Sequence, residues 1–99
     1  MSKIVPITAD SLIAKHAADI ATITGEPAAT TLSDFADQLR TAAGLVERVG
    51  INGGDELEDA AVYLNDVATA TPDRQQALLE TAAEHLKDVD DIADEYRLC

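Results

Sequence analysis

The stretch Thr71–Arg97, TPDRQQALLETAAEHLKDVDDIADEYR, decides how the chain folds. Thr71 offers a cap, Pro72 is preorganised for a first helical position, and Asp73 opposes the positive end of a helix dipole. Beyond that start, Leu79, Ala82, Leu86, Val89, Ala93 and Tyr96 recur at alternating steps of three and four, a seven-residue repeat that keeps them on one stripe. The spacing predicts a helix over about 72–97, roughly 39 Å long at 1.5 Å per residue. A long helix with one apolar stripe must bury it against other helices, so the rest of the chain is read for partners.

Three earlier segments fit. A helix over about 9–23, capped by Thr8 or Asp10, carries Ile13, Ala17 and Ile20 and stops at Gly25, with Pro6 keeping the preceding segment extended. A second, over about 32–49, follows Thr31 and Asp34, an acidic variant of the capping box, and repeats Phe35, Leu39, Ala42, Val46 and Val49. Gly50 then Ile51 fits a left-handed cap in which the apolar residue folds back. Asn52-Gly53-Gly54 reads as a tight turn into a third helix, over about 56–69, capped by Asp55 and burying Leu57, Ala60, Ala61, Leu64 and Val67. Short connections favour antiparallel neighbours, and no second-domain linker interrupts the pattern. The expected fold is all-α: a small antiparallel four-helix bundle with a long C-terminal helix, one domain over 1–99.

Composition limits what such a bundle can do. Of 99 residues, 18 are Ala and only three are aromatic, so the core is thin and built from Leu, Ile and Val. With no run of 18 apolar residues and no long apolar leader in Met1–Pro6, the chain is expected to be soluble, cytoplasmic and not membrane-bound. Seven bases against 19 acids, a net charge of −12, cannot build the footprint that phosphate neutralisation needs, so direct nucleic-acid binding is disfavoured. The single cysteine, Cys99, permits no intramolecular disulfide; it is read as a free thiol, with linkage of two chains as the alternative.

The charge is lopsided. Residues 1–49 hold six acids and four bases, whereas residues 50–99 hold thirteen and three, or −2 against −10. On an unbroken fourth helix, Glu80, Glu84, Asp88, Asp91 and Glu95 share one arc opposite the apolar stripe, and Asp90 and Asp94 widen it. Only Lys87 among residues 75–96 offers compensation, so like charges repel along the helix where Lys at i+4 would relieve them. Such a row suits a basic protein surface, including a groove built for nucleic acid. The plainer reading is a solvated face, since any amphipathic helix puts its charges opposite its core. Abundant Asp with few Lys also resembles the usage of high-salt cytosols.

Catalytic signatures are sparse. His16-x-x-Asp19 is a weak pairing, His85 reads as a surface group, and Asp88-Val89-Asp90-Asp91 lacks the glycine a calcium loop requires. No phosphate loop, nucleophile elbow or Cys/His pair occurs. One constellation stands apart: Asp34-x-x-Asp37 on the second helix and Glu56-x-x-Asp59 on the third. Together with the segment Glu56–Leu64, these pairs resemble the acidic motifs of MazG-type nucleoside-triphosphate pyrophosphohydrolases, although Asp stands where that family has Glu. The resemblance implies that Asp34, Asp37, Glu56 and Asp59 hold magnesium against substrate phosphates.

Three expectations follow. The leading one is a non-enzymatic protein, needing no cofactor, that binds a basic partner through Glu80, Glu84, Asp88, Asp91, Asp94 and Glu95. Its sharpest version is a nucleic-acid-mimicking inhibitor, since small acidic helical proteins made by phages are similar in size and charge. The magnesium pyrophosphohydrolase is second. A structural subunit of a homo-oligomeric assembly is third, and homodimerisation through a spare apolar strip including Ile20, Ile23, Leu45 or Val62 is compatible with the first.

Overall fold

The computed structural model describes residues 7–98, which form α1 (Ala9–Thr24), α2 (Leu32–Arg48), α3 (Gly54–Val67), α4 (Pro72–His85) and α5 (Val89–Arg97). Pro6 and Cys99, with the extended lead-in and the thiol chemistry assigned to them, lie outside these residues. The architecture is an all-α bundle of four helical segments packed on one another, the last being 26 residues long. A turn at Leu86–Asp88 divides that last segment into α4 and α5.

Capping sets the helix limits. The Thr8 hydroxyl accepts from the Ser11 N–H at 3.0 Å and the Ser11 hydroxyl accepts from the Thr8 N–H at 3.0 Å, a complete capping box that makes Thr8, not Asp10, the cap of α1. Gly25, at φ 74°, closes that helix in the left-handed region. At the end of α2, the Gly50 N–H donates to the Glu47 carbonyl at 3.1 Å and the Ile51 N–H to the Val46 carbonyl at 2.9 Å, the paired bonds of a Schellman motif. Ile51 is thereby folded into the core. Val49, expected on the buried stripe, is instead 47% exposed, because the chain leaves helical phase there and Ile51 fills the space.

The third helix begins two residues earlier than its sequence suggests. Gly53, at φ 117°, occupies the cap position, and Asp55 falls in the first turn, where with Glu56 it opposes the dipole. This turn is a packing point. A Cβ on Gly53 would lie 2.5 Å from the Ile92 Cδ1 of α5, and one on Gly54 would lie 2.6 Å from the Glu47 Cγ of α2. At the next connection, the Gln75 side-chain amide donates to the Val67 carbonyl at 3.1 Å and fastens the start of α4 to the end of α3. Thr71 is the cap of α4 by position, with Pro72 following, but its hydroxyl makes no capping bond.

The turn within the last segment coincides with a change of packing partner. The α4 helix lies mainly against α3, whereas α5 lies against α1. The backbone tightens: the Leu86 N–H is shared by the Ala82 and Ala83 carbonyls at 3.0 and 3.1 Å, and the Val89 N–H bonds to the Leu86 carbonyl at 3.0 Å, an i+3 step. Leu86 and Val89 stay fully buried on either side, so the apolar stripe survives the interruption. Leu78 and Ile92, outside the seven-residue repeat, are buried as well.

The spare apolar strip is not assembled. Ile20 and Ile23 belong to the core because α1 is covered by both α2 and α5, and Leu45 is half-buried. Only Val62 of those four is exposed, at 47%. No described helix is long and apolar enough to cross a membrane.

Two glycines test the packing. Gly53→Ala must adopt a positive φ against Ile92 and is expected to lower stability by about 1–3 kcal/mol. Gly44→Ala, in the interior of α2 with nothing within 4 Å of the added carbon, should raise it by about 0.5–1 kcal/mol. Urea unfolding of both variants measures the two signs.

Candidate functional site

The acidic residues named from the sequence all face outward. Glu80 and Glu84 project from α4, Asp88 from the turn, and Asp91, Asp94 and Glu95 from α5, each of them exposed. The turn changes their mutual arrangement: a projection at 100° per residue across 80–95 assumes an unbroken helix, and the i+3 step resets the phase between Glu84 and Asp91. The carboxylates are therefore divided between two short rows, Glu80 and Glu84 on α4 and Asp91, Asp94 and Glu95 on α5, with Asp88 in the turn between them. Local bases offset part of the charge. Lys87 reaches Glu84 at 3.5 Å, and Arg97 pairs with Asp94, in both cases on the solvent side. Exposed i,i+3 pairs of this kind contribute at most about 1 kcal/mol and leave the field largely intact.

Beside the two rows lies a cleft of about 390 Å³ lined by Asn52, Gly53, Glu56, Glu84, His85, Lys87, Asp88 and Ile92. His85 is no simple surface group. Its Nδ1 lies 2.5 Å from the Glu56 Oε2 of α3, and its ring stacks on Tyr63 with centroids 5.4 Å apart and planes at 18°. Glu56 thus fixes the ring, and the pair clamps α4 to α3. Sequence gave no signal for this contact, because the partners are 29 residues apart and only the α3–α4 packing brings them together.

The four carboxylates of the pyrophosphohydrolase resemblance are not gathered. Asp34 and Asp37 line a separate cleft against the Glu26–Thr30 connection, and Glu56 is turned to His85 on α4. Among the described residues, no group of three or more His, Cys, Asp and Glu side chains is placed to hold a metal ion. The cause is local: Asp34 and Asp37 sit on the edge of α2 that meets the α1–α2 connection, whereas Gly54 packs α3 on the opposite edge, near Ala43 and Glu47.

His16 is the one buried polar or charged side chain among the described residues, 5% exposed. It makes no hydrogen bond with another described residue, so the pairing with Asp19 suggested by spacing is electrostatic only. Burial first, and then the neighbouring Lys15 ammonium, hold its pKa below the usual 6.5, while Asp19 and Asp90 act in the opposite direction. The imidazole is accordingly neutral at neutral pH. Comparison with protein-family models, with curated proteins and with solved structures finds no match to this chain.

A depressed histidine pKa has a stability consequence with a definite sign. Below 6.5 the unfolded chain takes up a proton that the folded chain refuses, so folding loses stability as pH falls from 6.5 toward the lowered folded value, and the loss stops below it. The difference in unfolding free energy between the native chain and a His16→Gln variant should therefore shrink over that window and be constant above 6.5. Paired urea titrations at successive pH values measure this difference with the carboxylate contributions subtracted.

Proposed function

We propose that the protein acts without catalysis, by presenting the carboxylates of α4 and α5 to a basic surface on a partner protein. The supporting observation is the outward placement of Glu80, Asp88 and Asp91, none of which makes an ion pair with another described residue, on the half of the chain that carries −10. Carboxylates that are exposed and uncompensated retain their attraction for Lys and Arg, and a protein of this net charge draws such partners in rapidly. A basic groove presents Lys and Arg to such carboxylates. A groove built for the phosphates of nucleic acid has that character, so inhibition of a nucleic-acid enzyme by mimicry, of the kind phages use, is the specific form of the proposal. Glu84 and Asp94 contribute once their lysine and arginine neighbours turn aside, at small cost.

The test is retention of partners from a lysate at rising ionic strength, comparing the native chain with the variant Glu80→Gln/Asp88→Asn/Asp91→Asn. Partners should be held at low salt, be released as the Debye length falls from about 10 Å at 0.1 M to about 3 Å at 1 M, and be absent from the variant. A partner held equally at all salt concentrations, or equally by the variant, would defeat the electrostatic reading.

A further inference from the structure

The turn between α2 and α3 joins Asn52 to Gly53, two residues whose reactive groups the packing leaves uncommitted. The chain holds two asparagines, and their surroundings differ. Asn65 lies inside α3, before Asp66, where each backbone N–H is bound to a carbonyl four residues back. Asn52 lies outside any helix, is exposed, and its side-chain amide makes no hydrogen bond with another described residue. The Gly53 N–H that follows it also donates to no described residue.

A main-chain nitrogen that gives up its proton can attack the side-chain amide carbon of an asparagine just before it. The reaction requires that no hydrogen bond ties the nitrogen down and that no Cβ crowds the approach, and glycine has none. The position is also one where a change would be felt. Asn52 lines the cleft of His85 together with Glu56, Glu84 and Asp88. Gly53 is pressed on α5 so closely that a Cβ there would lie 2.5 Å from the Ile92 Cδ1.

We infer that Asn52 is a site of spontaneous deamidation, completed by water, that loosens the contact between α3 and α5. The Gly53 nitrogen forms a bond to the Asn52 Cγ, the Cγ–Nδ2 bond breaks, and Nδ2 leaves as ammonia with the proton that Gly53 gave up. Water then opens the cyclic imide at either carbonyl, and nothing is oxidised or reduced. Opening at Cγ leaves aspartate; opening at the main-chain carbonyl leaves isoaspartate, in which the backbone runs through Cβ and Cγ. Either product gains a negative charge on the wall that already carries Glu56, Glu84 and Asp88. Isoaspartate also inserts one more carbon into the chain just before Gly53, which must shift where it is packed on Ile92. The inference is independent of the acidic-face reading, since it needs no partner protein.

The test is incubation of the full chain at mildly alkaline pH and physiological temperature, with samples taken over days and cut with trypsin. One tryptic peptide, Val49–Arg74, holds both asparagines, so Asn65 serves as the internal control. Reaction at Asn65 must wait for local opening of α3, and Asn52 is expected to convert at least about tenfold faster. Isoaspartate, detected by enzymatic methylation and by fragmentation mass spectrometry, is expected as the main product. Conversion should quicken as pH rises, because the attacking nitrogen must lose its proton, and an Asn52→Gln variant should show none at this position over the same period. The separated isoaspartate form should unfold at a lower urea concentration than an Asn52→Asp variant, which carries the same charge on an unaltered backbone. Conversion at Asn52 no faster than at Asn65, or aspartate formed there without isoaspartate, would overturn the assignment of the site. An isoaspartate form as stable as Asn52→Asp would overturn its link to the packing of Gly53 on Ile92.

Discussion

The turn at Leu86–Asp88 is the constraint on which the other features depend. On its two sides one helical segment packs mainly on α3 and then on α1, and Leu86 and Val89 stay buried where the packing partner changes. Three consequences come from the same few residues. His85, the last residue of α4, reaches Glu56 and Tyr63; Lys87, within the turn, lines both the His85 cleft and the cleft that holds His16; and Asp88 lies between the acidic residues of α4 and those of α5.

The bundle closes because α5 completes the cover of α1 and presses Ile92 onto Gly53. A thin core rich in alanine can afford little wasted surface, and close approach at glycine and alanine replaces the large side chains it lacks. Phe35 is its single large aromatic anchor, fully buried in α2, and Leu39, Leu57 and Leu64 extend the packing between α2 and α3.

The charge distribution follows from the same geometry. With the apolar stripes of α4 and α5 committed to the core, their carboxylates have nowhere to go but solvent, and few bases are near enough to moderate them. Around His16 the charge is mixed, since Lys15 and Lys87 share its pocket with Asp19 and Asp90.

Helix class, the Thr31, Gly25 and Gly50 boundaries and most of the buried stripe were legible in the sequence, and the first cap was narrowed to Thr8 or Asp10, because capping and 3.6-residue periodicity are local and act within a turn or two. The interruption at Leu86–Asp88 was hidden by a heptad repeat that continues through it. A local sign was nevertheless present: His85 and Lys87 suit a helix end, and Asp88, Asp90 and Asp91 suit a helix start, which is the charge pattern of two helix termini side by side. What only tertiary structure decided was which charged side chains meet. Glu56 with His85, the separation of Asp34 and Asp37 from Glu56, and the cleft that His16 shares with Lys87 all involve residues distant in the chain. Such pairings depend on the relative placement of whole helices, a property that spacing along one helix does not contain.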